Sequence, residues 1–274
     1  MKNFENEMKT ILLSGCRMPD DLPKRVLAAV PATKPRVRKS RIWVAAALVA
    51  LLVCGTAAGT LLWTRPDVQQ HISAGNTEAK DSHTLRLGED YITLPADALT
   101  EIAANADPDR MYNSFLTFAS VTEWQSFCGL PLALSPDLVC EDTVDMIVSH
   151  RETETGPEPM MLIAITTAKD SDGRHYSLQL QANLSPDAGG SSTHSYTAST
   201  TTEITDYTTA NGIPCVLCKV TDTEHGYVDV ELYYTYAGVS YTVKCSAMTE
   251  EEADAVKEKM QALADSLEVV DVEG

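Results

Sequence analysis

The chain has 274 residues, with 21 Lys+Arg against 39 Asp+Glu and a formal net charge of −18. That acidity argues against nucleic acid as a partner, because a protein that binds the phosphate backbone needs a basic face to release counterions. With 44% hydrophobic and 22% charged residues, 14 Gly and 13 Pro, the chain is neither collagen-like nor wholly disordered; at 6% aromatic, its core must rest mainly on Leu, Val, Ile, Ala and Tyr.

Residues 1–41 are too few for a substantial core. Phe4, Met8, Ile11 and Leu12 recur at helical spacing. A second short helix is expected from Asp20: Asp20 or Asp21 caps it, Pro23 suits its first turn, and Leu22, Val26, Leu27 and Val30 form an apolar stripe. Pro31 and Pro35 stop it before the basic run Lys34, Arg36, Arg38, Lys39 and Arg41. The segment is either a retention tail whose cations meet anionic lipid or a helical peptide that docks on a cytoplasmic partner through Leu22, Val26, Leu27 and Val30.

Residues 42–63, IWVAAALVALLVCGTAAGTLLW, carry no charge. At about 1.5 Å per residue they reach roughly 33 Å, enough for a bilayer core of about 30 Å, so a transmembrane helix is expected. Trp43 and Trp63 stand near its ends, where indoles favour the headgroup layer. The basic run before it and the acidic chain after it place the N-terminus in the cytoplasm and the C-terminal part outside, the topology of a single-pass signal anchor in the cell membrane. Split at this segment, residues 1–41 carry 10 basic and 4 acidic side chains, net +6, and residues 64–274 carry 11 and 35, net −24. Thr56-Ala57-Ala58 offers an alternative signal cleavage site, and Leu51 to Gly55 resembles a lipobox in which Val53 occupies the position that wants a small residue. Gly55 and Gly59 form a GxxxG, a candidate helix–helix contact for a homodimer, although Ala-rich membrane helices also produce that spacing by accident.

Residues 64–84 are polar and without periodicity and are expected to be a tether. Residues 85–274 then carry a sequence of elements that predicts an α+β domain, a mainly antiparallel β-sheet meander covered by helices. Leu85 to Thr93 suggests a strand and Ala96 to Ala104 a helix. Ser120-Val121-Thr122-Glu123 is a capping box that opens a helix ending at Gly129 and Pro131. Strands follow at Asp145–His150 and Met160–Thr167, with an Asp172-Gly173 turn before Tyr176–Leu184. Asn211-Gly212 predicts a type I′ hairpin between Ile204–Thr209 and Cys215–Val220. Val228, Val230, Leu232, Tyr234 and Tyr236 alternate with Asp229, Glu231, Tyr233 and Thr235, and the alternation resumes beyond Ala237-Gly238, as in a sheet covered on one side. Thr249 to Glu252 is a second capping box. The following stripe of Ala253, Val256, Met260, Leu263 and Leu267 is expected to pack on the final hairpin.

The chemistry-bearing residues do not converge on a motif. Cys215 and Cys218 form a CxxC, but on a strand residues three apart point to opposite faces, so a structural role is expected. Cys128 with Cys140 is a candidate disulfide; the five cysteines beyond residue 63 are an odd number. His71, His83, His150, His175, His194 and His225 are scattered beside turns and are expected on the surface. Glu89-Asp90, Glu141-Asp142 and Glu250 to Glu252 are expected as solvated or helix-start charges. No catalytic residue, cofactor or metal site is assigned, and the chain is expected not to be an enzyme.

Three features together resemble a loose group of single-pass proteins of clostridial-type Gram-positive bacteria, including membrane anti-sigma-factor-like regulators with an external domain of unknown function. They are Leu22-Pro23-Lys24-Arg25-Val26-Leu27 before the basic run, Ser120 to Pro131 (SVTEWQSFCGLP), and the tail from Tyr234-Thr235-Tyr236-Ala237-Gly238 through Ser240-Tyr241-Thr242-Val243 to a Thr249-led helix. The resemblance implies an external sensing or binding domain and a cytoplasmic partner such as a sigma factor. Many anti-sigma factors use a cytoplasmic His/Cys zinc module; here the tail has only Cys16 and no His, so sigma binding would rest on the short helices. The alternative is a membrane-tethered envelope structural or assembly module without signalling.

Overall fold

A computed structural model of the protein describes residues 62–74, 79–107, 113–141, 143–195, 200–247 and 249–270. Nearly all of the expected transmembrane run, including Gly55 and Gly59, and the tail residues Leu22, Val26, Leu27 and Val30 lie outside them. Among the described residues, no helix is long and apolar enough to cross a membrane.

The described chain is α+β and mainly antiparallel sheet. In chain order it forms β1 (Trp63–Thr64), β2 (Asp67–Ala74), β3 (Ala79–Arg86), α1 (Ala96–Ala104), β4 (Ala106–Asp107), β5 (Asn113–Phe118), α2 (Val121–Cys128), β6 (Leu132–Leu134) and β7 (Val139–Cys140). There follow β8 (Val144–Thr153), β9 (Gly156–Lys169), β10 (His175–Asn183), β11 (Ser191–Ser195), β12 (Thr200–Thr208), β13 (Pro214–Asp222), β14 (Tyr227–Tyr236), β15 (Val239–Ala247), α3 (Glu250–Asp265) and β16 (Glu268–Val270). The main sheet has 11 strands in the order β12-β13-β14-β15-β10-β9-β8-β5-β4, with β1 beside β14 and β7 beside β9. It is two meanders joined through the β10–β15 pair rather than one. Between them the chain leaves to add β11 to a three-stranded sheet, β11-β3-β2, and returns at the far edge as β12.

Two of the helices, α2 and α3, form where their caps predict. The Ser120 hydroxyl accepts from Glu123 N–H at 3.1 Å, the Glu123 carboxylate accepts from Ala119 N–H at 2.7 Å, and Gly129 closes α2 at φ 63°. Thr249 caps α3 by accepting from Glu252 N–H. Ala253, Val256, Met260, Leu263 and Leu267 are buried against β13, β14 and β15, as the stripe requires. At about 1.5–3 kcal/mol per large aliphatic side chain, that stripe is the main force holding the helix. On the same side, Trp124 donates to Met146 Sδ at 3.4 Å, and the stacked rings of Tyr234 and Tyr241 (4.8 Å) use their hydroxyls to bind both the C=O and the N–H of Ala133.

Several expectations are corrected. Residues 67–74 and 79–86 are paired strands, not a tether, because Val68 and Leu85 have an apolar surface to bury against. The strand expected at Leu85–Thr93 ends at Arg86, beyond which Leu87 and Ile92 hydrogen-bond to Gly190 and Asn183 outside any ladder. Trp63 belongs to β1, packed on Tyr234 and Tyr236 at 6.2 and 4.7 Å, so the expected membrane helix cannot include its last two residues. At Asn211-Gly212 only Gly212 has positive φ, 82°, and its N–H bonds to Thr209 C=O, giving a three-residue loop instead of a type I′ turn. The type I′ turn is at Ala237-Gly238, with φ 50° and 79°. Cys128 and Cys140 are free thiols.

Candidate functional site

The main sheet has two faces, and the one away from the helices carries the candidate site. Its two halves have opposite character.

The first half lies across β12 to β15 under the small sheet. Leu85, Val216, Cys218 and Tyr233 form a second apolar cluster, joined by Val68 and Ile204. Beside it His83 Nε2 lies 2.7 Å from Tyr233 Oη and 2.8 Å from Glu231 Oε2, and Tyr233 donates to Glu231 Oε2 at 2.6 Å. The His83 and Glu231 side chains are both 0% exposed. Lys244 stands 3.7 Å from Glu231 Oε1 and 2.6 Å from Asp229, which also accepts from Ser246. Burial pulls the Lys244 ammonium pKa down, but its hydrogen bond to Asp229 and the charges of Asp229 and Glu231 outweigh this and hold it above the ordinary lysine range. Glu231 and Asp229 thus lie inside, although their alternation with valines suggested a solvent face; over Glu231 the cover comes from β3 through His83, and Asp229 is held by Lys244 and Ser246. Chemically the cluster is a polar clamp that fixes β3 onto β14.

The edge of this half is closed as well. The amide of Thr202 donates to Asp81 Oδ2 and its carbonyl accepts from Gln70, each at 2.7 Å, while Arg65 Nη2 donates to both carboxylate oxygens of Asp206. Side chains therefore occupy hydrogen-bonding groups that an edge strand would otherwise offer to another chain.

The second half, across β5, β8 and β9, is open, whereas Gln181 and Asn183 at the end of β10 are buried. The register aligns Phe115, Ile147 and Ile163 in one row and Thr117, Asp145, Ile165 and Gln179 in the next. Phe115 is 43% and Ile165 40% exposed, with Ile147, Ile163 and Met161 half-buried. Charges at its ends are paired: Arg151 with Glu158 and Asp187, and Lys169 and His175 with Glu141. This half can bind a flat, partly apolar surface.

The remaining chemistry-bearing groups do not join either half into a reactive site. Cys215 packs in the main core and Cys218 in the second cluster, on opposite faces of β13 as expected. Burial pushes the Cys128 and Cys215 thiols up to about 12 and Cys140 to about 11, far from a thiolate at neutral pH. The expectation of surface histidines holds for His71, His175 and His225 and fails for His83. Among the described residues, no group of three or more His, Cys, Asp or Glu side chains is placed to hold a metal ion. His83 is the residue of the clamp that reading residues 64–84 as a tether misses. Its signal was Gly75-Asn76, turn chemistry between two segments containing Val68, Ile72 and Leu85. No family model, curated protein or solved structure matches the chain.

Proposed function

We propose that the chain is a non-enzymatic single-pass membrane protein, N-terminus in the cytoplasm, whose external domain senses or binds a partner at the cell surface and relays this to a cytoplasmic regulator such as a sigma factor. The observation that carries this reading is the order of the chain: a +6 segment, an uncharged run, and an acidic domain whose first paired residues, Trp63 and Thr64, stand at the end of that run. With Leu62 and Trp63 assigned to the domain, residues 42–61 still reach about 30 Å as a helix, enough for a bilayer core. The half-exposed apolar rows of Phe115, Ile147, Ile163 and Ile165 supply a surface for the binding half of the reading.

The test is topology followed by partner capture. The full chain should resist carbonate extraction from membranes, and protease added outside intact cells should degrade the domain while leaving a short N-terminal fragment. Crosslinking of the full chain and of a variant lacking residues 1–30 then separates relay from display. A cytoplasmic partner lost with the deletion supports relay; identical partners and an unchanged transcriptional response refute it. The same apolar rows also suit an envelope assembly module, which the second result would favour.

A further inference from the structure

We propose that one end of the domain, formed by Leu62–Trp63, Tyr91–Ile92 and the Ala237-Gly238 turn, rests against the lipid headgroup layer. This depends on the single-pass reading above, and the argument for it is one of length. With Leu62 and Trp63 assigned to the domain, the membrane segment of that reading ends at Leu61, and the very next residue is already part of the fold: Leu62 C=O accepts from Ala237 N–H at 2.8 Å, and Trp63 and Thr64 pair with Tyr236 and Thr235. A strand residue spans only about 3.3 Å. The headgroup layer on each side of a bilayer is about 5–8 Å deep, the difference between the full thickness and the hydrocarbon core shared over two leaflets. The first paired residues therefore fall within that layer, and the turn they pair with has no slack by which to stand clear of it.

The chemistry of this end agrees. Ile92 lies over the turn, since a Cβ added to Gly238 would meet Ile92 Cγ2 at 3.3 Å, so residues 91–92 share the same end as Leu62. Leu62 is 43% and Tyr91 54% exposed, placing two of the seven exposed large apolar side chains of the described residues there. Trp63, half-buried against the buried Tyr236 with ring centroids 4.7 Å apart, adds an amphipathic ring of the kind that favours the membrane interface. The neighbouring exposed charges are Glu89 and Asp90, and the nearest cation in sequence, Arg65, is bound to Asp206. The contact is therefore made by aromatic and aliphatic groups, and anionic lipid should not strengthen it.

The hairpin turn at residues 223–226 provides the control, because β14 runs for ten residues between it and the proposed contact, on the order of 30 Å. Tyr91→Trp, Glu89→Trp and Glu224→Trp would be introduced singly into the full chain and reconstituted into phosphatidylcholine vesicles with or without lipid brominated near the headgroup. The emission added at positions 91 and 89 should be quenched at least about twofold more than that added at 224, and replacing a third of the lipid by phosphatidylglycerol should not increase the difference. Equal quenching at all three positions in a chain that resists carbonate extraction overturns the membrane contact and leaves the single-pass reading standing. Release of the chain by carbonate overturns the single-pass reading, and the contact with it.

Discussion

The two halves of the sheet face away from the helices invert the usual rule. Under the small sheet the sheet presents the buried Asp229, Glu231 and Tyr233, with Lys244 beside them one-third exposed. On β5, β8 and β9, where nothing described covers it, the sheet presents Phe115, Ile147, Ile163 and Ile165. Polar groups are tolerated inside because they are paired with one another and with His83; apolar groups outside serve binding when they are contiguous across strands. The difference teaches that which face of a strand is dry depends on what the rest of the chain lays over it.

The comparison can be broken most directly at the clamp. His83→Ala removes one member of a fully buried pair and leaves the Glu231 carboxylate inside with Lys244 3.7 Å away. Unfolding by urea should show a loss of about 3–5 kcal/mol, from the cavity left by the ring and the hydrogen bonds lost with it, and amide exchange should show β2 and β3 opening first. A loss below about 1 kcal/mol would mean that water already reaches the clamp.

Two adjacent residues of β9 sharpen the contrast between faces. Leu162 is 1% exposed on the helix side, whereas Ile163 is half-buried on the open side. Leu162→Ala should cost about 2–5 kcal/mol, and Ile163→Ala under about 1 kcal/mol in the isolated protein. An Ile163→Ala effect as large as that of Leu162→Ala would show that another part of the chain covers the open half. A smaller effect is expected at the helix side of the sheet: Ser120→Ala should cost about 1 kcal/mol through loss of the α2 cap, measured by the same urea titration, with the clamp undisturbed.

The smallest effect concerns acid. Burial alone would raise the Asp170 carboxyl pKa, but it accepts from the Arg174 and Asp172 amides and the Tyr176 hydroxyl, near Lys259, and its pKa is held below the ordinary range. Its contribution to stability is therefore present above the unfolded Asp value of about 4 and is lost as pH falls through the lower folded value. Thermal midpoints measured from neutral pH into acid should fall less steeply for Asp170→Asn than for the parent chain.

Much of the helix side was legible in the primary structure. Caps at Ser120 and Thr249, the glycine that ends α2, and the 253–267 stripe are local devices whose geometry is set within a few residues. The alternation in β14 and β15 was legible for the same reason. The clamp was not, because its members lie 148 residues apart in the chain: His83 stands in a segment whose period is too weak to announce a strand, and Glu231 in one whose period announces a solvent face. The turn type was not legible either, since both Asn211-Gly212 and Ala237-Gly238 offer a glycine, and strand register decides which loop has two residues.

By itself, then, the sequence determined the local elements, the opposite faces of Cys215 and Cys218, and the charge asymmetry about an uncharged run, all properties of neighbouring residues and short periods. Only the tertiary structure decided that the presumed tether is a lid of sheet, that Trp63 is part of the domain, that carboxylates lie inside and isoleucines outside. Those outcomes depend on which distant strands pair and stack, and no window of adjacent residues contains that information.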